Sequence, residues 1–270
     1  MDKETLRKVQ LIQLEMAEEV KRICDENGIA YYLTAGTCLG AVRHQGFIPW
    51  DDDLDIGMLR EDYDRFCAIA PEKLGHKYNF QCWLTDENYA LPFGKLRKNG
   101  TIYQENKSVL GGNNGIYIDI IPYDNVPAKN CSWHLLKLYI LERLILMKCR
   151  YRPWMEVGKI SWSRRLFYMP FQVLCIFFRH SSLTKKFDKL AKGVDKSSGK
   201  VYTQLGERNF YCFQRNWMDH TVETSFEGRL FRIPAEYHDY MTSAYGDYMK
   251  LPPEDQRENR HQIEVLDFGE

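Results

Sequence analysis

Four of the five residues from Asp51 to Asp55 are aspartate (Asp51, Asp52, Asp53 and Asp55), and Trp50 and Ile56 bracket the run. Along extended backbone, side chains alternate, so Asp51, Asp53 and Asp55 share one face while Asp52 and Leu54 take the other. Three carboxylates on one edge repel one another unless a cation sits between them. Oxygen-only ligands select a hard ion, Mg²⁺ or Mn²⁺, which keeps some waters and completes its shell from substrate phosphates. Short aspartate runs are most often solvated turns. Here the flanking Trp50 and Ile56 argue instead for a partly buried strand, read as Asp53 to Met58.

A second carboxylate points the same way. Asp119 lies in the apolar stretch Ile116-Tyr117-Ile118-Asp119-Ile120-Ile121-Pro122, where an unpaired charge would cost several kcal/mol. An arginine partner or a loop cap would satisfy it. A shared cation with Asp53 and Asp55 would do so as well, and that reading is the one adopted.

Periodicity supplies the frame around these residues. Leu6, Val9, Ile12, Met16, Val20 and Ile23 recur at three- and four-residue steps, which predicts a helix over 4–27 that stops at Asn27-Gly28. A strand over 29–34 and a helix over 38–44 follow, with Gly36-Thr37 at the turn. A further helix is read over 61–70, with strands over 78–84 and 93–97, a continuation over 101–103, and a loop at 111–115. Residues 131–192 read as helical, without strands. The remainder mixes short strands with a helix over 235–245. The expected class is α/β (α+β): a mixed-sheet core over 1–128, a helical segment over 129–200, and a C-terminal part over 201–270 folding back on the core.

The acidic run and its upstream turn also carry a resemblance. A Gly-Thr turn on a helix, Asp-x-Asp on one strand and a lone Asp on a neighbour resemble the nucleotidyltransferase fold. The continuous stretch from Gly36-Thr37-Cys38-Leu39-Gly40 through Pro49-Trp50-Asp51-Asp52-Asp53-Leu54-Asp55-Ile56 resembles the hallmark of the LicD family of phosphotransferases, related to fukutin and fukutin-related protein. Asp119-Ile120-Ile121-Pro122-Tyr123-Asp124 resembles that family's second acidic motif. Tyr245-Gly246-Asp247-Tyr248-Met249, Leu251-Pro252-Pro253, His261 and Asp267-Phe268-Gly269 resemble its C-terminal ending.

The resemblance implies transfer of a phospho-alcohol, most often phosphocholine, from a CDP-linked donor such as CDP-choline to a hydroxyl of a glycan or its lipid-linked precursor. Such a reaction needs divalent ions bridging the phosphates. Asp53, Asp55 and Asp119 are the candidate ligands, with Asp119 favoured to take the acceptor proton and Asp51 an outer ligand or hydrogen-bond partner. Gly36 would admit the diphosphate, and Thr37 offers a hydroxyl and an amide at a helix start. Arg43 and His44 are candidate phosphate contacts, Arg43 the better because its fork matches the oxygens. Lys95 and Arg97 share a strand face, which suits either phosphate or solvent. A late histidine, His261, is expected with no role assigned. A choline head calls for aromatic faces, but 17 Tyr and 6 Trp leave sequence unable to choose among them. An Asp-x-Asp glycosyltransferase and an inactive family member acting as a binding subunit are the competing readings.

Lys plus Arg equals Asp plus Glu, for a formal charge of +0, so the balance does not resemble the basic footprint of a nucleic-acid binder, which leaves room for a locally basic face. Eight cysteines without a Cys-x-x-Cys pair suit reduced, buried thiols. The N-terminal residues lack a cationic-then-apolar pattern, so a cytoplasmic protein is expected, at the inner face of the membrane if it docks there. The apolar stretch 167–178, flanked by Arg164, Arg165, Arg179, His180, Lys185 and Lys186, is too short to span a bilayer. It suits either a buried helix with basic ends or an interfacial helix making peripheral contact with anionic lipid.

Overall fold

In the computed structural model, α1 (Lys3–Asn27) starts at Asp2, whose carboxylate accepts the Thr5 amide at 2.9 Å. It ends at Gly28, whose φ of 59° suits glycine. The structure describes residues 1–105, 114–156, 159–204, 210–259, 261 and 263–269. Most of the loop read at 111–115 therefore lies outside the described residues. The apolar stripe of α1 is buried as its spacing requires, from Leu6 through Ile23, with Ile12 half-buried.

In chain order, α1 is followed by β1 (Tyr32–Leu33), α2 (Ala35–His44), β2 (Asp55–Leu59), α3 (Arg60–Lys73), β3 (Tyr78–Gln81), β4 (Gly94–Lys98), β5 (Ile102–Glu105) and β6 (Tyr117–Asn125). Then come α4 (Cys131–Lys148), β7 (Met155–Glu156), β8 (Lys159–Ile160), α5 (Trp162–Leu174), α6 (His180–Lys192), β9 (Lys200–Gln204) and β10 (Phe210–Gln214). The chain closes with α7 (Asn216–Asp219), β11 (Thr221–Phe226), β12 (Arg229–Pro234), α8 (Tyr237–Tyr245) and β13 (Ile263–Asp267).

The main sheet runs β1-β2-β6-β4-β3, and β6 also pairs with β9, which pairs with β10. β2 and β6 are parallel, whereas β4 lies antiparallel to β6. The fold is therefore a mixed α/β one, as the sequence implies. β2 is buried at every position, as expected of a parallel central strand covered on both faces. Its core continues through α1, α3 and the C-terminal elements, with Phe66, Phe80, Tyr123, Phe226 and Tyr240 among the buried side chains. A second cluster joins α4, α5 and α6 to Tyr202 of β9. β13 pairs antiparallel with β5, bringing the last residues back beside the first half of the chain.

Three expectations are corrected. The acidic strand begins at Asp55 rather than Asp53, because residues 51–54 form an irregular segment held by side chains of α1. The segment read as free of strands contains the short antiparallel pair β7-β8, whose two-residue strands leave no periodic signal. The reading of 167–178 as a buried helix fails: Tyr168 is the sole buried residue of α5.

Gly40 positions the entry to the acidic segment. A Cβ there would stand 2.5 Å from the Gly46 carbonyl oxygen and 3.3 Å from the Ile48 nitrogen, both backbone atoms. Gly40→Ala should therefore destabilise the protein by about 1–3 kcal/mol, which urea denaturation would detect. An unchanged midpoint would mean that the 45–48 bend yields freely.

Candidate functional site

Strand register builds the site. In the parallel β2-β6 pair Asp55 lies opposite Asp119, and in the antiparallel β4-β6 pair Lys95 lies opposite Asp119. Three adjacent strands thus present acid, acid and base in one row, at the usual spacing of about 4.8 Å per strand. Lys95 Nζ donates to Asp119 Oδ1 at 2.7 Å and stands 3.3 Å from the centre of the Tyr117 ring.

The electrostatics record the crowding. Burial, then the like charges of Asp53, Asp119 and Asp51, holds the Asp55 carboxyl well above the usual carboxylate range. Asp119 is also raised, first by burial and then by Asp53, with Lys95 opposing. A carboxyl held up by several like charges gains most from a cation among them. The donors are all hard oxygens, which fits Mg²⁺ or Mn²⁺. Among the described residues no three carboxylate, imidazole or thiol groups already stand in a metal-holding arrangement, and one Asp119 oxygen is engaged by Lys95.

The acidic segment is held from behind by α1. Gln10 Nε2 donates to the Asp51 carbonyl and Gln13 Nε2 to the Asp52 carbonyl, both at 2.9 Å, and Gln13 also reaches the Tyr117 carbonyl at 3.2 Å. Sequence reasoning missed both amides. The available signal was two glutamines, Gln10 and Gln13, among the buried positions of an amphipathic helix.

Asp52, assigned by alternation to the other face, is 1 % exposed and anchors the C-terminal segment. His261 Nδ1 meets Asp52 Oδ1 at 3.1 Å, and Tyr103 Oη donates to Asp52 Oδ2 at 3.2 Å. Burial alone would lower the imidazole. The hydrogen bond to Asp52, with Glu105 and Asp53 nearby, outweighs that and pushes His261 up to about 10. The late histidine thus stands beside the carboxylate row, tied to Asp52. Glu105, which sequence reasoning passed over, bonds the Tyr117 hydroxyl within the same group.

Other candidate residues are placed differently. The space a Gly36 Cβ would occupy is filled by Asp51, whose Oδ2 would lie 2.9 Å away, so the start of α2 faces a carboxylate. Thr37 Oγ1 accepts the Asp55 amide at 2.8 Å and so fixes the first residue of β2. Arg43 and His44 lie at the far end of α2. Arg43 Nη1 donates to the Tyr248 carbonyl and its Nε to His44 Nε2, both at 2.9 Å. Arg97 is buried, with bonds to Gln81 Oε1 at 2.8 Å and the Gly115 carbonyl at 3.1 Å. The structure therefore brings Asp51, Asp53, Asp55, Asp119, Lys95 and His261 together, places Gly36 and Thr37 at the edge, and commits Arg43 and Arg97 to backbone and amide partners.

Residues 28–134 match the family model described as LicD/FKTN/FKRP, nucleotidyltransferase domain. That span holds Asp51 to Asp55, Lys95 and Asp119, and leaves out His261. Over 262 residues the chain is 29% identical to the lipopolysaccharide cholinephosphotransferase LicD of Haemophilus influenzae, covering 97% of each. Shorter matches reach human proteins. The ribitol 5-phosphate transferase FKRP is 44% identical over 48 residues, 18% of this chain and 10% of that protein. The ribitol-5-phosphate transferase FKTN is 29% identical over 68 residues, 24% of this chain and 15% of that protein.

Proposed function

We propose that this chain, whose residues 28–134 match the LicD/FKTN/FKRP nucleotidyltransferase domain, transfers phosphocholine, or a similar phospho-alcohol, from a CDP-linked donor to a glycan hydroxyl, with Mg²⁺ or Mn²⁺. Transfer of a phospho-alcohol is supported by the near full-length similarity to a cholinephosphotransferase and the shorter similarity to two ribitol phosphate transferases. The observation that carries the reading is the register placing Asp55 opposite Asp119 beside the Asp51–Asp53 segment.

Asp53, Asp55 and Asp119 would hold the ion. When bound, the ion supplies positive charge to the donor's diphosphate and to the leaving CMP oxygen. The chain's own residues do the rest. Gln10 and Gln13 fix the backbone that carries Asp51 and Asp52, so the carboxylates need not reorganise. Lys95 offsets one negative charge in the row, and His261 holds Asp52 beside it. Asp119, whose basicity burial raises, is the residue assigned to take the proton of the acceptor hydroxyl.

Calorimetric titration of CDP-choline into the purified protein, with Mg²⁺ and then with EDTA, tests this directly. Binding that disappears with EDTA is expected. Equal binding in both conditions would remove the metal from the reading. No binding in either would remove choline, and a panel of CDP- and UDP-linked donors would then locate the substrate class.

A further inference from the structure

The short helix α5 is apolar on two faces, and the protein buries one of them. Tyr168 is buried and Phe171 half-buried, and both belong to the cluster shared with α4 and α6. On the opposite side Trp162, Leu166, Met169 and Val173 recur at four-, three- and four-residue steps and are 50–70% exposed. That spacing is one continuous helical stripe, aimed away from the protein's own core. The following turn adds Ile176 at 70% and Phe177 at 77% exposure.

Charge identifies what would cover this surface. From residue 157 to residue 187 the chain has six Lys or Arg and no Asp or Glu, although its overall formal charge is zero. Arg165, Arg179, Lys185 and Lys186 are exposed. Arg165 lies over the Trp162 ring at 4.9 Å, and Lys186 lies 5.6 Å from the centre of the Phe178 ring. Apolar bodies beneath cationic tips suit the boundary between acyl chains and anionic headgroups. A second copy of the chain would set these cations against one another.

The helix suits a position in the plane of the surface rather than across it. Thirteen residues span about 20 Å, short of the roughly 30 Å of a bilayer core. Pro170 also leaves the Leu166 carbonyl without its usual amide donor, which is tolerable where water is present. Among the described residues no helix is long and apolar enough to cross a membrane.

We propose that the outward stripe of α5 and the turn at Ile176-Phe177 dock this protein on an anionic phospholipid surface, with the basic residues of 164–186 contacting the headgroups.

Co-sedimentation of the full chain with vesicles tests this, and it needs neither donor nor acceptor, so its failure would leave the transferase reading untouched. The protein should sediment with phosphatidylcholine–phosphatidylglycerol vesicles about tenfold more than with phosphatidylcholine alone, and high salt should reduce the difference. Leu166→Glu with Val173→Glu should lower sedimentation about tenfold without shifting the thermal midpoint, since both positions are exposed. Lys185→Glu with Lys186→Glu should weaken the preference for anionic vesicles. The proposal is overturned if the wild type ignores anionic vesicles or if Leu166→Glu with Val173→Glu sediments as well as it does. A wild-type dimer that the same pair of substitutions converts to monomer, with no vesicle binding, would assign the face to a second copy instead.

Discussion

Asp55→Asn is expected to cut transfer by on the order of a thousandfold and, in EDTA, to melt at a higher temperature than the wild type. The two effects share one cause. Asp55 is buried, and its carboxyl is held up by that burial and by the charges of Asp53, Asp119 and Asp51. An acid whose folded-state pKa is raised binds its proton more tightly in the native than in the unfolded chain. Native stability therefore falls as pH rises through the usual carboxylate range, and at neutral pH the ionised group is a net cost. Asparagine keeps the shape of the protonated acid and removes that cost, but it also removes an ionisable oxygen from the row proposed to hold the ion. Mg²⁺ should raise the melting temperature of the wild type and leave that of the variant almost unmoved. Asp53→Asn should lose activity in the same way. Near-full activity of Asp55→Asn, or a lower midpoint in EDTA, would place the metal elsewhere.

The largest effect on stability is expected at the other end of β6. Arg60 Nε and Nη2 donate to the two oxygens of Asp124, each at 2.6 Å, and both side chains are nearly inaccessible. Removing one partner leaves the other buried without its bidentate mate, Arg60 keeping only the longer contact to Asp64 at 3.4 Å, so Asp124→Ala or Arg60→Met should cost about 3–5 kcal/mol. For a chain of this size that lowers the thermal midpoint by roughly 10 °C. Arg60→Met combined with Asp124→Leu should recover most of the loss, because an apolar pair leaves no charge to solvate. Activity measured well below the midpoint should be nearly normal in all three variants. Asp124 is five residues from Asp119, about 17 Å along an extended strand. Loss of activity in a folded Asp124→Ala variant would instead make Asp124 part of the transfer machinery.

Asp124 shows where reading from sequence stops. In the chain it belongs to the same short motif as Asp119, and nothing local separates their roles. The partner does so: Asp119 meets Lys95 of β4, whereas Asp124 meets Arg60 at the start of α3. Asp52 makes the same point. Alternation set it apart from Asp51, Asp53 and Asp55, but its role follows from His261 and Tyr103, which lie far from it in sequence. Arg43 looked suited to phosphate by its chemistry and is held by the Tyr248 carbonyl.

What the sequence by itself determined is what short-range chemistry can write. The period of α1 and its glycine stop, the density of charge from Asp51 to Asp55, the buried acid in an apolar strand, and the basic, apolar stretch around α5 each depend on neighbours within a few residues. Tertiary structure decided which strands are adjacent and in what register, and therefore that Asp55, Asp119 and Lys95 stand in one row. It also decided which face of α5 the core takes. A shift of one residue in strand pairing would turn those side chains to the opposite face, and that choice is made by the packing of the whole core rather than by any segment alone.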